Sequence, residues 1–364
     1  MQECYLPTGN EWVSLPTLQA RTGALESFSF LHMGYKGLIE QRGGASLPLM
    51  TPFFETEGER ASLQSLTWGR KSNWIPTFCG TAGSLAVEGM LLAPVGERGF
   101  LYQLTVRSTS DKPLSPTFGL EGCWASAWHC VNEDKEIDGA RRCYTSLWND
   151  SLIFDMRCGL PLFAFAPMMD QPCSSTFQET DAGIVYRLAH ACTLEPGEAV
   201  TVTFYWGVGF EEVAAATSAK EMLRQGWQHE LQVTTDWLDA RRWPIPDAQL
   251  ERLYNTNLFF CLFYSAGITL DTEELVLVTS RSPRYYVSAA YWDRDSLLWS
   301  FPTVVDADPA LARRMLDYVF GRQRRNLGVH SRYIDGTVLE PGFELDELMA
   351  PVLALERYVG ATGD

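Results

Sequence analysis

The sequence lacks the features of several large protein classes. It has no uninterrupted apolar run of the ~18 residues that a membrane-spanning helix needs, and no basic region followed by an apolar core at its amino terminus. Basic residues are scarce, since 29 Lys and Arg stand against 45 Asp and Glu, for a formal net charge of −16. A strongly acidic chain is poorly suited to bind phosphate backbones or anionic lipid. We therefore expect a cytoplasmic protein with neither nucleic acid nor membrane as a partner.

Signatures of metal binding and of several nucleophilic or nucleotide-dependent enzymes are also missing. The nine cysteines, Cys158 among them, form no C-x-x-C pair and have no regular spacing, which favours free thiols over a disulfide framework. The motifs H-E-x-x-H, G-x-S-x-G, G-x-G-x-x-G and the phosphate loop do not occur, and the five histidines are not paired at ligand spacing. We therefore predict that the protein has no metal site.

The hydrophobic pattern divides the chain into a β part, a linker and an α part. Residues 1–209 alternate with period two and are interrupted about every ten residues by turn-forming residues, which predicts a large antiparallel β-sandwich. Residues 210–247 are rich in good helix formers and predict a linker of one or two helices. Residues 248–364 predict a helical domain.

Two details of the β part can be predicted more closely. In the segment that begins at Gly99, Tyr102, Leu104 and Val106 fall on one face of a strand and polar residues fall on the other. The sequence Glu195–Glu198 contains Pro and Gly, which favour a tight turn, and therefore predicts the connection of a hairpin.

Local signals also predict the ends of helices in the α part. Asp247 is placed to cap one helix that Gly267 would end, and Asp308 is placed to cap another. Pro302 should kink or shorten the helix that contains it.

The last helix carries apolar residues at a spacing that predicts a face packed on the core. These residues are Leu348, Val352, Leu355 and Val359.

The first cluster of residues that carries chemistry surrounds the sequence WDRDS. An aromatic residue, Tyr291, precedes Trp292, Asp293, Arg294 and Asp295. Carboxylates and a guanidinium can hold adjacent hydroxyls of a sugar, and an aromatic ring can cover its C–H face. An ordinary interpretation is also open, in which Asp293 or Asp295 caps the helix and Arg294 pairs with its neighbours.

A second cluster follows about fifty residues later. Its carboxylates stand just before or within the first turn of the last helix, where acidic residues are frequent, and are Glu340, Glu344, Asp346 and Glu347. The functional interpretation places some of them in a cleft with Arg332 and the first cluster, where one carboxyl could act as an acid.

Both clusters resemble a known group of enzymes. The W-x-R-D-S element at Trp292 resembles a signature near the start of the catalytic barrel in glucoamylases, bacterial glycogen-debranching amylo-1,6-glucosidases and metal-independent α-mannosidases. The later sequence ending in RYVGATGD resembles a helix of the debranching and mannosidase sequences, with an Asp at the position of Asp346. This resemblance implies an N-terminal β-sandwich, a helical linker and a six-hairpin (α/α)6 barrel.

The resemblance also implies roles for individual residues. Arg294 and Asp295 would bind hydroxyls of the terminal sugar with Trp292 beside it, whereas the position of Asp293 is variable in the family. Asp346 is the first candidate for a functional carboxylate and Glu344 the second, with sugar binding favoured over acid catalysis for each.

The activity implied is that of a glycoside hydrolase. Such an enzyme removes terminal α-linked glucose or mannose from oligosaccharides or glycogen-like polysaccharides by the inverting route, without a cofactor. Twelve barrel helices of ~12 residues each do not fit after residue 248, so we expect a fragment that lacks the full catalytic pair. A non-catalytic carbohydrate-binding protein and a sugar phosphorylase of the same architecture remain as alternatives.

Overall fold

Antiparallel strands make up the first part of the chain in the computed structural model, which describes residues 4–147, 149–157 and 163–364. The strands of this part are β1 Thr8–Gly9, β2 Val13–Leu15, β3 Ser27–His32, β4 Gly37–Arg42, β5 Thr51–Thr56, β6 Glu59–Ala61, β7 Leu63–Lys71, β8 Ile75–Ala82, β9 Leu85–Leu92, β10 Gly99–Ser108, β11 Pro116–Trp124, β12 Ser126–Val131, β13 Glu133–Glu136, β14 Ala140–Thr145, β15 Leu152–Arg157, β16 Phe163–Met169, β17 Ser174–Thr180, β18 Gly183–Ala191 and β19 Ala199–Gly209. Cys158 lies outside the described residues, and the other eight cysteines are free thiols.

The strands form three sheets around one hydrophobic core. An eight-stranded sheet has the order β14-β15-β16-β19-β10-β9-β8-β7, a six-stranded sheet the order β1-β2-β3-β4-β12-β13, and a five-stranded sheet the order β17-β18-β11-β5-β6. Tyr102, Leu104 and Val106 of β10 all face the shared core, so the predicted alternation is confirmed. The β18–β19 turn is also as predicted, because Glu198 N donates to Glu195 O at 2.9 Å and Gly197 has a φ of 79°.

Helices follow the last strand of the β part, in the predicted order. They are α1 Glu212–Gln225, α2 Trp227–Asp239, α3 Ala248–Tyr264, α4 Phe301–Ala307, α5 Pro309–Tyr318 and α6 Leu345–Thr362. A π-helical segment, Arg294–Ser300, precedes α4, and a second π-helical segment and a 3-10 turn follow α5 at Val319–Gln323 and Arg324–Asn326. Two small hairpins lie among the helices, formed by β20 Ala266–Ile268 with β21 Leu275–Leu277 and by β22 Val329–Arg332 with β23 Val338–Phe343.

Helix α1 packs directly on the eight-stranded sheet. A Cβ atom added at Gly207 of β19 would lie 2.1 Å from the carbonyl oxygen of Ala215, so a side chain at this position would push the helix away. Gly226, with a φ of 84°, separates α1 from α2. The first helix of the segment predicted as a linker therefore lies against the sandwich.

The predicted helix caps are confirmed at two sites. Asp247 accepts hydrogen bonds from Gln249 N and Leu250 N at the start of α3, and Asp308 accepts one from Leu311 N at the start of α5. Helix α3 ends at Tyr264, whereas Gly267, the predicted stop, lies in β20.

Pro302 lies where the helix changes from π-helical to α-helical geometry. It lies in the first turn of α4, directly after the π-helical segment, where Phe301 N donates to Ser296 O five residues earlier. Proline is well tolerated in a first helical turn, where the missing N–H would have no partner in the regular helix.

Helix α6 is buried on the face opposite to the predicted one. The apolar residues Leu348, Val352, Leu355 and Val359 are all at least one-third exposed. The buried face carries Glu347, the small residues Ala350 and Ala354, and Tyr358. Small residues on this face let α6 pack closely on the π-helical segment and on α4 and α5.

The helical part has a second hydrophobic core, which includes Leu31 and Tyr205 from the sheets as well as Phe263 of α3. Within the described residues, no helix has the length and apolar character needed to cross a bilayer.

Candidate functional site

One pair of backbone hydrogen bonds brings the two predicted clusters together. Tyr291 and Arg332 donate to each other's carbonyl oxygens, at 2.9 and 3.0 Å, so the start of the π-helical segment lies beside β22. The β22–β23 hairpin then leads directly into α6. The residues before α6 therefore lie next to Arg294.

Arg294 is the centre of the solvent-facing part of this site. Its Nη1 atom lies 2.7 Å from Asp346 Oδ2 and 3.0 Å from Glu344 Oε2, and its Nε atom lies 3.8 Å from Asp295 Oδ2. The hydrogen bond from Arg294 holds the pKa of Asp346 below its usual value. Hydrogen bonds from His330 and Arg294 lower the pKa of Glu344 in the same way. Both carboxylates are therefore ionised at neutral pH and accept hydrogen bonds without donating any.

The helix that carries Arg294 is capped by a carboxyl group from α6. Glu347 accepts hydrogen bonds from the backbone N–H groups of Asp293, at 2.6 Å, and Arg294, at 3.4 Å. Burial, followed by the negative charge of Asp293, raises the pKa of Glu347 to about 8. The side chain of Asp293 makes no cap hydrogen bond, so Glu347 performs the role that the sequence offered to Asp293 or Asp295.

Asp293 and Arg332 form an ion pair beneath the site. Neither side chain is exposed, and the hydroxyl of Tyr291 donates to Asp293 Oδ1 from the other side. Burial raises the pKa of Asp293, and the charge of Arg332 acts against this increase. Tyr291, Asp293 and Arg332, all predicted to contact sugar, are buried below the residues that face solvent.

Trp292 is also largely buried. Its ring packs edge-on against His330, with 5.7 Å between the ring centres. His330 Nδ1 lies 2.7 Å from Glu344 Oε1. The contact with Trp292 therefore helps to position a histidine that binds one of the two ionised carboxylates.

A cavity of about 330 Å³ opens beside Asp295. Trp299, Tyr285 and Phe260 line it together with Asp295, and Trp299 is 63% exposed. Burial raises the pKa of Asp295. Aromatic rings beside a carboxyl group suit a ligand that has an apolar face and hydroxyls at its edge.

Trp299 and His330 were not candidates in the sequence, and Glu347 was one only as a member of the acidic cluster at the start of α6. Trp299 follows Asp295 by four residues, a spacing that places both on one side of a helix, and this signal was sufficient to find it. Glu347 looks like any acidic residue of a first helical turn, and only the tertiary structure shows that it caps another helix. His330 has no sequence signal, because its partner Glu344 lies across a hairpin.

One group of potential metal ligands occurs elsewhere in the described residues. Ligand atoms of Glu40, Cys130 and Asp134 lie within 4.8 Å of one another. The guanidinium of Arg42 lies among them, hydrogen-bonded to Glu40 and Asp134 and 3.8 Å from the Cys130 sulfur. Burial raises the pKa of the Cys130 thiol, so the group is an ion-pair cluster around Arg42.

Comparisons with known proteins find similarity in structure alone. No protein-family model matches the chain, and no curated protein matches its sequence. A protein from the human microbiome described as a kojibiose phosphorylase matches with a TM-score of 0.62 at 10% identity, over 97% of this chain and 53% of that one. A bacterial glucoamylase in complex with acarbose matches with a TM-score of 0.59 at 9% identity, over 98% of this chain and 56% of that one.

These matches show the fold at the level of antiparallel sheets followed by helices. The chain spans about half the length of the two solved structures that it matches. The coarse architecture predicted from the sequence is therefore confirmed, whereas a closed barrel of six hairpins is not among the elements described above.

Proposed function

We propose that this chain is a carbohydrate-active protein that binds the terminal sugar of an α-linked oligosaccharide at the Arg294 site. The observation that carries this proposal is the convergence of Arg294, Asp295 and Asp346 beside an aromatic cavity. The fold likeness to a described kojibiose phosphorylase and a glucoamylase supports it, because those names refer to proteins that act on sugars.

The solvent-facing residues would contact the sugar directly. Arg294 supplies hydrogen-bond donors, the ionised Asp346 and Glu344 supply acceptors, and Asp295 can bind a hydroxyl at the mouth of its cavity. Trp299 is sufficiently exposed for a pyranose ring to pack on it. Tyr291, Trp292, Asp293 and Arg332, which lie below or beside these groups, position them.

The activity that we propose is removal of terminal α-linked glucose or mannose by inverting hydrolysis. This route needs a protonated carboxyl as acid and an ionised carboxylate that activates water, ~6.5–9.5 Å apart. The low pKa values of Asp346 and Glu344 suit hydroxyl binding or the base, and do not suit proton donation. Glu347 has a raised pKa but is buried and occupied by backbone N–H groups, so it does not reach a sugar.

Phosphorolysis is the second candidate, because one structural match is described as a phosphorylase. A phosphate group needs uncompensated positive charge, yet the guanidinium of Arg294 already faces three carboxylates. The charge balance of the site therefore favours water over phosphate as the second substrate.

Calorimetry and product analysis test the proposal together. The chain is titrated with maltose, kojibiose and α-1,2-mannobiose, and each disaccharide is also incubated with and without inorganic phosphate. We expect binding of at least one disaccharide. Release of the free sugar with inverted anomeric configuration, and no sugar 1-phosphate, would show that the chain also supplies the proton donor that inverting hydrolysis needs. Binding without turnover would instead support a carbohydrate-binding protein, and a sugar 1-phosphate product would support a phosphorylase.

Variants connect this result to the site. Arg294→Met should weaken disaccharide binding at least tenfold, and Asp295→Asn should weaken it as well. Arg313→Met is the matched control, since Arg313 forms an exposed ion pair of 2.6 Å with Asp364 away from the site. Equal affinity of the wild type and Arg294→Met for every disaccharide would contradict the proposal.

A further inference from the structure

A second cavity, of about 270 Å³, lies where the sandwich meets the helices. Its walls come from the β1–β2 loop, from α2 and α3 and from α5. Leu262, Phe263 and Leu311 form an apolar surface on one side. We call this space the junction cavity, and it shares no lining residue with the Asp295 cavity.

Glu11 lines this cavity, and one oxygen of its carboxylate group has no partner among the described residues. Its Oε1 atom accepts a hydrogen bond of 2.8 Å from Gly96 N, whereas Oε2 is buried and has no hydrogen-bond partner among the described residues. Burial raises the pKa of Glu11. A buried polar atom without a partner is uncommon and indicates a missing donor, from a ligand or from water.

Arg314 supplies a positively charged group to the same cavity. It lines the junction cavity from α5 and also lines an open groove that shares Leu275 with the cavity. Among the described residues it has no hydrogen bond or ion pair within bonding distance, although its charge acts on Glu11. Arg241, the other cationic residue of the wall, is already occupied by Asp308 at 2.7 and 2.8 Å.

Close backbone packing places a further positive charge behind the wall. A Cβ atom added at Gly267 would lie 2.8 Å from Arg281 Nε, so glycine permits the wall to lie directly on the buried Arg281 guanidinium. The Nε and Nη2 atoms of Arg281 have no hydrogen-bond partner among the described residues. Simple cations are therefore disfavoured by Arg281 and Arg314, and simple anions by Glu11.

We infer that the junction cavity is a second sugar site, separate from the Arg294 site, that holds a single hexose. One hydroxyl would donate to Glu11 Oε2, another would accept from Arg314, and the C–H face would pack on Leu262 and Phe263. A ligand that offers a donor, an acceptor and an apolar face on one small frame matches this wall. The volume of the junction cavity lies just below ~300 Å³, the lower end of the range for pockets that hold larger ligands. This volume favours a single sugar ring over an oligosaccharide.

The test uses the whole chain with the Arg294 site disabled by Arg294→Met, so that remaining hexose binding reports on the junction cavity. The variant is titrated calorimetrically with D-glucose and D-mannose. We expect one of these hexoses to bind, and Glu11→Gln in the same background to weaken it at least tenfold. Arg314→Met should have a similar effect, and its exposed position makes it safe for folding.

Two controls make the result specific. Arg313→Met changes the neighbouring residue of α5, which pairs with Asp317 and Asp364, and should leave the affinity unchanged. The compound 2-(hydroxymethyl)tetrahydropyran keeps the ring but lacks ring hydroxyls, and should not bind.

Three results would overturn the inference. They are the absence of hexose binding to Arg294→Met, an affinity that neither Glu11→Gln nor Arg314→Met changes, and equal binding of the compound without ring hydroxyls. In the first case water alone fills the cavity. These outcomes leave the function proposed for the Arg294 site untouched, because that function depends on the difference between the wild type and Arg294→Met.

Discussion

Replacing Asp293 by asparagine removes one charge from a buried ion pair and keeps the shape of the side chain. Asp293 and Arg332 have no exposed side-chain surface, and removal of one partner of such a pair costs about 3–5 kcal/mol because the other charge stays unpaired. Glu347 reduces this cost. Its Oε2 atom lies 3.9 Å from Arg332 Nη2, and the charge of Asp293 is one cause of its raised pKa. Glu347 therefore ionises more readily in the variant, and we expect a net loss of about 2–4 kcal/mol.

Denaturant unfolding at pH 7, followed by circular dichroism, measures this loss as a free energy of unfolding. The double variant Asp293→Asn with Glu347→Gln lacks the substitute charge, and should lose at least about 1 kcal/mol more than the sum of the single variants. Asp364→Asn is the control, since its pair with Arg313 is exposed and should contribute less than about 1 kcal/mol. A loss below about 1 kcal/mol for Asp293→Asn, with additive effects in the double variant, would refute this reasoning.

Three further predictions concern the rest of the fold. Because the pKa of Glu347 is raised, its contribution to stability is complete below about pH 4.5 and disappears as the pH rises towards 8. The difference in unfolding free energy between the wild type and Glu347→Gln should therefore decrease from pH 5 to pH 8, and a difference that grows would contradict this. Phe165→Ala empties a site where the ring stacks on Phe154 at 4.7 Å, and should cost about 3–5 kcal/mol in denaturant unfolding. Gly207→Ala should lower the melting temperature because its Cβ atom would collide with α1, whereas Gly360→Ala, with open space around it in α6, should not lower it.

The sequence predicted those parts of the fold that local chemistry decides. The alternation in β10 and the caps at Asp247 and Asp308 depend on neighbours within a few residues, so their patterns are visible in the chain itself. Helix α6 shows where this stops. Its apolar stripe, which includes Leu348 and Val352, is exposed, because the side with small residues packs on the π-helical segment and on α4 and α5.

The candidate site was predictable in its residue types and not in its geometry. The sequence indicated that Arg294 and the acidic residues near Asp346 belong together, and the structure places them 2.7 Å apart. It did not indicate that Asp293 is buried in the core while Asp295, two residues later, lines a cavity. Asp293 faces inward because it pairs with the buried Arg332, which the backbone bridge to Tyr291 places beside it.

The cap formed by Glu347 affects the order in which a newly made chain acquires its structure. Glu347 lies 54 residues beyond Asp293, whose backbone N–H it accepts. The first N–H groups of a helix have no partner within the helix, so this end frays on the ribosome until α6 has been synthesised and has docked. We therefore expect the arginine at the centre of the site to reach its final orientation in the same step that brings in its acidic partners.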